Sequence, residues 1–178
     1  MRIRTTEIAG VAIIDIEPRD DERGFFAELW SWDELAGPLG VAHFNRSVLS
    51  YNKSAGTLRG LHYQAAPHEE AKLVRCTRGA IFDVAVDLRQ SSATYGRWIG
   101  AMLSAESRRA LFIPKGCAHG FQTLEDDTEV LYCIEGHYVP NAGRTVAWND
   151  RAIGIAWPET SRRIMSANDA EAPELGTK

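Results

Sequence analysis

The sequence predicts an all-β, double-sheet jelly roll with short peripheral helices, and three observations carry that expectation. Ten short runs rich in β-branched and aromatic residues recur along the 178 residues, separated by Gly, Pro, Asp and Asn clusters. Helical periodicity is scarce, so the crossover helices that a parallel sheet needs are missing. The length suits one core, taken as a single domain over 1–178, because domains cluster near about 100–150 residues.

The elements follow in order. Strand-like runs fall at 11–16 and 25–30; Ser31-Trp32-Asp33-Glu34-Leu35-Ala36 then reads as a short helix with Ser31 as cap and Gly37 as stop. Further runs lie at 46–51, 57–64, 72–77, 80–88, 98–103, 110–114, 120–124 and 129–134. In the run 80–88, alternation puts Phe82, Val84, Val86 and Leu88 on one face and Asp83 and Asp87 on the other, the pattern of a half-buried strand. A second short helix fits after Pro158, within a polar tail over 161–178. Double-sheet barrels of the cupin type fit this string of strands, and their open end admits ligands.

Twenty Lys and Arg against 24 Asp and Glu leave a net charge of −4, the wrong sign for a nucleic-acid coat. Glu7 interrupts the N-terminus before any apolar run of signal-peptide length, and no stretch approaches the roughly 18 apolar residues of a membrane span. A soluble, cytoplasmic protein with no nucleic-acid or membrane partner is expected. Cys76, Cys117 and Cys133 are odd in number and form no CxxC pair, so they read as reduced, buried thiols.

Two of the five histidines stand in informative contexts. His62 closes Thr57-Leu58-Arg59-Gly60-Leu61-His62-Tyr63-Gln64, where alternation aims it at a barrel interior with Leu58, Gly60 and Gln64. On spacing alone it is either a core histidine bonded to the backbone or a base or ligand. His119 follows the turn Pro114-Lys115-Gly116-Cys117-Ala118 and carries the same two readings. Metal binding is disfavoured, because cupin metal centres usually open with two histidines one residue apart and the second place here is Gln64.

At this point the chain resembles the dTDP-4-dehydrorhamnose 3,5-epimerases, metal-free members of the cupin superfamily that act in rhamnose biosynthesis. The resemblance rests on Asp21-x-Arg23-Gly24-x-Phe26-x-Glu28, Gly56-x-Leu58-Arg59-Gly60-Leu61-His62-Tyr63-Gln64 and Lys72-Leu73-Val74-Arg75. It continues through Phe82-Asp83-Val84-Ala85-Val86-Asp87-Leu88-Arg89, Thr94-Tyr95-Gly96-Arg97-Trp98, Ile113-Pro114-x-Gly116-x-Ala118-His119-Gly120-Phe121 and Gly154-Ile155-x-Trp157-Pro158.

The resemblance implies a cofactor-free enzyme that inverts C3 and C5 of dTDP-4-dehydro-6-deoxy-D-glucose to give dTDP-4-dehydro-L-rhamnose. A ketone at C4 acidifies the protons at C3 and C5, so inversion needs a base and an acid on opposite faces of the ring. The resemblance assigns His62 as base, Tyr132 as acid and Asp169 as the carboxylate that holds the imidazole. The tail must then fold back on the barrel. Arg59, Lys72, His119 and Tyr138 match substrate-contacting positions, and Gly60 must mark a bulge for Arg59 to share a face with His62. Arg23, Phe26 and Glu28 match a motif that reaches into the neighbouring subunit's pocket, so a homodimer is implied.

Three places depart from the family pattern. The Gln-x-Asn pair expected before the histidine strand is replaced in Asn45-Arg46-Ser47-Val48-Leu49-Ser50-Tyr51, which is expected to change what is held near the sugar in the region of Ser47, Val48 and Leu49. Gly143 stands where many members have Glu, and Asn168 where they have Lys or Arg. Rival readings are a single-centre epimerase on a different activated 4-keto sugar, a metal-dependent cupin and a non-catalytic sugar-binding cupin.

Overall fold

The structure, a computed structural model, describes residues 1–40 and 43–176. Thirteen strands and two short helices are present among them. In chain order these are β1 (Arg2–Thr5), β2 (Ala12–Asp15), β3 (Arg19–Asp21), β4 (Gly24–Phe26), α1 (Trp32–Leu39), β5 (Arg46–Asn52), β6 (Leu58–Gln64) and β7 (Ala71–Arg78). They continue with β8 (Ala80–Asp87), β9 (Trp98–Ser104), β10 (Ala110–Ile113), β11 (Cys117–Thr123), β12 (Thr128–Glu135), β13 (Gly143–Thr145) and α2 (Ala167–Ala170).

The strands form a six-stranded sheet, β1-β2-β10-β7-β12-β5, and a five-stranded sheet, β13-β6-β11-β8-β9, with β3 and β4 as a separate hairpin. The all-β jelly roll expected from the strand spacing is the observed architecture. Between the sheets lies a core built around Ile81, Leu103, Leu111, Phe121 and Val130, all fully or almost fully buried. A second cluster, with Leu35, Leu73 and Phe112, seats α1 on the outside of the six-stranded sheet. A third packs Ile153, Ile155, Trp157 and Leu175 over Leu61, Val84 and Val86 of the five-stranded sheet. Each fully buried large apolar side chain contributes roughly 1.5–3 kcal/mol. An exposed ion pair such as Arg4–Asp15, at 2.7 Å, is worth about 0–1 kcal/mol, so the peripheral segments are held by these clusters rather than by surface charge.

Several elements depart from the expectation. The helix passes the expected stop at Gly37 and ends at Leu39, with Pro38 inside it and Gly40 in the left-handed conformation as its cap. Glycine at 37 has no Cβ to clash with the proline ring, which removes the usual penalty on a helical residue before Pro. Ser31 occupies the cap position but its side chain makes no cap hydrogen bond. In β8 both faces are buried: Asp83 and Asp87 are each 0% exposed. The face that carries Asp83 points into the barrel, whereas Val84 and Val86 lie beneath the C-terminal segment. Outward-facing acids are the usual meaning of that alternation, but here the strand is covered on both sides. Strand β11 begins at Cys117, so His119 lies within the strand, paired on both edges with β6 and β8.

The C-terminal segment is strapped across the five-stranded sheet. Leu58 N–H donates to Ile164 O at 2.8 Å, and Ile164 N–H donates to Gly56 O at 2.9 Å. Ala147 N–H donates to Pro173 O at 2.8 Å. Trp157 Nε1 donates to Trp148 O at 2.7 Å, and the Arg163 guanidinium stacks 4.4 Å from the Trp148 ring centroid. These ties aim α2 at β6. The last two residues of the expected tail, Thr177 and Lys178, lie outside the described residues.

Candidate active site

Alternation along β6 is broken by one extra residue. His119 of β11 pairs with His62, but Phe121 pairs with Arg59, so the register slips at Gly60 and Leu61. Gly60 has φ +127°, and a Cβ there would lie 2.5 Å from the Gly120 Cα, so only glycine suits the position. Leu61 turns outward into the cluster under the C-terminal segment, while Arg59 and His62 both line one cavity.

That cavity, about 330 Å³, opens between the two sheets. The five-stranded sheet supplies Arg59, His62, His119 and Phe121; the six-stranded sheet supplies Arg46, Val48, Ser50, Lys72, Tyr132 and Ile134; Glu70 and Tyr138 come from adjoining loops. His62, with its side chain 46% exposed, shares a hydrogen bond of 2.6 Å between Nε2 and Asp169 Oδ1. Burial alone raises the Asp169 pKa, but the bond and charge of His62, together with Ser166 and the Gly60 amide, outweigh it and hold the carboxyl below its ordinary value. Ser166 caps α2 by accepting from Asp169 N–H at 3.1 Å, which orients the acid toward β6.

Tyr132 stands on the facing sheet. Its phenol is pushed well above the ordinary tyrosine value, first by desolvation and then by the Asp83 charge, so it remains a proton donor at neutral pH. His119 lies between, edge-on to Tyr132 with ring centroids 5.7 Å apart, and its Nε2 is 2.6 Å from Asp83 Oδ1. Burial lowers the His119 pKa and raises that of Asp83, and the charge and hydrogen bond each group offers the other oppose both shifts. Lys72 is lowered chiefly by desolvation, opposed by the Glu70 carboxylate.

The structure therefore brings His62, Tyr132, Asp169, Arg59, Lys72, His119 and Tyr138 to one end of the barrel. Arg23, Phe26 and Glu28 are not part of this cavity. They lie on and after the β3–β4 hairpin, all exposed, with Arg23 paired to Asp21 at 2.5 Å. Phe26 and Glu28 instead border a recess of about 450 Å³ beside Met1, which holds Glu17 and Glu34 but no facing base and acid. Of Ser47, Val48 and Leu49, only Val48 lines the cavity; Ser47 meets Cys133 on the other face and Leu49 is 57% exposed. Gly143 starts β13 opposite Gln64, and Asn168 is exposed on α2.

Sequence reasoning named Val48 but missed Asp83 and the other two members of the inward row, Arg46 and Ser50. Alternation in the run 46–51 carried the signal for the row. Alternation sets Asp83 only on the face opposite the apolar row of a half-buried strand, because strand pattern alone does not say which face is covered. Gln64 is committed to the backbone, donating to His68 O and His137 O at 3.0 Å each and accepting from Val139 N–H at 2.9 Å. Among the described residues, no cluster of three or more His, Cys, Asp or Glu side chains is arranged to hold a metal.

The sequence model of the dTDP-4-dehydrorhamnose 3,5-epimerases matches residues 5–177. The chain belongs to this family. A dTDP-4-dehydrorhamnose 3,5-epimerase of Salmonella typhimurium is 44% identical, the match covering 98% of this chain and 96% of that one. The crystal structure of the Bacillus anthracis epimerase with TDP and PPi bound matches with a TM-score of 0.92 at 40% identity, over 98% of this chain and 99% of that one. A Legionella pneumophila dTDP-6-deoxy-D-glucose-3,5-epimerase in complex with dTDP-4-keto-L-rhamnose matches with a TM-score of 0.91 at 37% identity, over 97% and 92% of the two chains. The epimerase fold is a cupin-like jelly roll, and this chain shares it. It is an isomerase by family.

Proposed function

We propose that the chain inverts C3 and C5 of dTDP-4-dehydro-6-deoxy-D-glucose, giving dTDP-4-dehydro-L-rhamnose in dTDP-rhamnose biosynthesis. One observation carries the reading: an imidazole backed by a carboxylate on one sheet faces the cavity that a buried phenol enters from the other. His62 takes the proton from C5 or C3, and the C–H electron pair moves toward the C4 carbonyl to form an enolate. Tyr132 then delivers its proton to the same carbon from the opposite face. Exchange with solvent restores the neutral imidazole and the phenol. Asp169 stabilises the transient imidazolium, and Arg59 and Lys72 offset charge on the oxyanion.

The proposed active unit is a cytoplasmic homodimer in which Arg23, Phe26 and Glu28 reach the partner's cavity. Phe26, 76% exposed and outside its own cavity, supports that arrangement, and three buried free thiols agree with a reducing compartment. Incubation with the named sugar in heavy water, followed by proton NMR, tests the reaction. Deuterium at both C3 and C5 of the product is expected. Deuterium at one carbon would make this a single-centre epimerase, and none would overturn the reading.

A further inference from the structure

Two charged residues in the cavity have no place in the proton chemistry. Arg46 projects inward from β5, and its Nη2 donates to the Glu70 carboxylate at the end of the loop leading into β7. Its guanidinium lies 5.8 Å from the ring centroid of Tyr138, and its Nε is buried without a hydrogen-bond partner. Register fixes its depth. Val48 pairs with Tyr132 and Arg46 with Ile134, so Arg46 stands two residues, about 7 Å, beyond the proposed acid toward Tyr138.

The cavity lining contains three cationic side chains, Arg46, Arg59 and Lys72, against one carboxylate, Glu70. That excess suits an anion rather than a neutral sugar. Arg59 is already steered by protein, its Nε donating to Asn52 Oδ1 at 2.8 Å. Arg46 differs, because its partner is a carboxylate that a phosphate oxygen can replace with the same geometry. A sugar placed between His62 and Tyr132 extends its anomeric substituent away from the reacting carbons, and Arg46 is spaced to meet that substituent.

Resting on the epimerase reading above, we propose that Arg46 grips the diphosphate of the nucleotide sugar and that Glu70 competes with the diphosphate for the guanidinium. Arg46 then sets affinity and nucleotide-sugar recognition, leaving proton transfer to His62 and Tyr132. Glu70 keeps the free cation paired, so binding exchanges one ionic partner for another and the net affinity is lower than Arg46 alone would give.

Calorimetric titration of dTDP, thymidine and inorganic pyrophosphate into the wild type, R46Q, R46K and E70Q tests this, beside the steady-state constants. R46Q is expected to weaken dTDP and pyrophosphate by about tenfold, the usual loss for one charge-assisted bond, with thymidine unchanged. The loss should appear in KM rather than kcat. R46K, which keeps the charge without the fork, should fall between and serves should R46Q fold poorly. E70Q should bind dTDP more tightly. Wild-type affinity for dTDP in R46Q, or an equal loss for thymidine, would overturn the role of Arg46, and weaker dTDP binding by E70Q would overturn the competition. The heavy-water exchange of the wild type reports separately on the epimerase reading, so either can fail without the other.

Discussion

Two opposed effects act on the Asp169 carboxyl: burial disfavours its charge, and the His62 imidazole 2.6 Å away favours it more. Because the folded pKa lies below the unfolded value, Asp169 adds stability that is fully present above the unfolded pKa, about 3.9, and is lost as pH falls through the lower folded value. Asp169→Asn should therefore flatten the acid side of a plot of Tm against pH below about pH 4. The same change should reduce kcat on the order of 10²-fold or more, because an amide cannot stabilise the imidazolium. Unchanged kcat would remove the dyad from the mechanism. At this scale His62, Tyr132 and Asp169 could be read from motif matches, although Asp169 lies 107 positions from its partner and nothing local announces the contact. Asp83 could not be read so, because alternation distinguishes two faces without saying which is dry.

Strand β6 shows how one position sets the geometry of several. The slip at Gly60 lets Arg59 and His62 share a cavity that strict alternation would divide between two faces. Gly60→Ala meets both a φ of +127° and the Gly120 backbone, so the strand must shift. A loss of about 2 kcal/mol or more is expected, a fall in Tm of roughly 4–8 °C for a chain of this size, with activity reduced beyond the loss of folded protein. Calorimetry with activity at a temperature below both transitions checks it; unchanged values for both would show that the bulge is not required. Most of the expected strands were readable because their apolar alternation is strong. Strands β1, β3 and β13 were not: Arg2, Arg4 and the Arg19–Asp21 run are charged, and Gly143 has little β preference. Pairing partners, not intrinsic preference, make these segments strands.

In the proposed mechanism the whole molecule holds two proton-transfer groups on opposite walls. The five-stranded sheet carries His62, the C-terminal strap brings Asp169 behind it, and the six-stranded sheet carries Tyr132. No single element could present a base and an acid to opposite faces of one ring, so the double-sheet architecture and the chemistry belong together. That relation was accessible from the sequence only through resemblance, since strand count predicts two sheets but not which residues face one another across them. The division of labour between the walls is the central claim, and deuterium exchange by Tyr132→Phe in heavy water, beside His62→Ala, tests it most directly. His62→Ala should lose both exchange and inversion on the order of 10²–10⁴-fold while folding normally. Tyr132→Phe should continue to exchange substrate hydrogen for deuterium while inversion falls away. Loss of exchange and inversion together in Tyr132→Phe would contradict the assignment of base and acid to opposite faces.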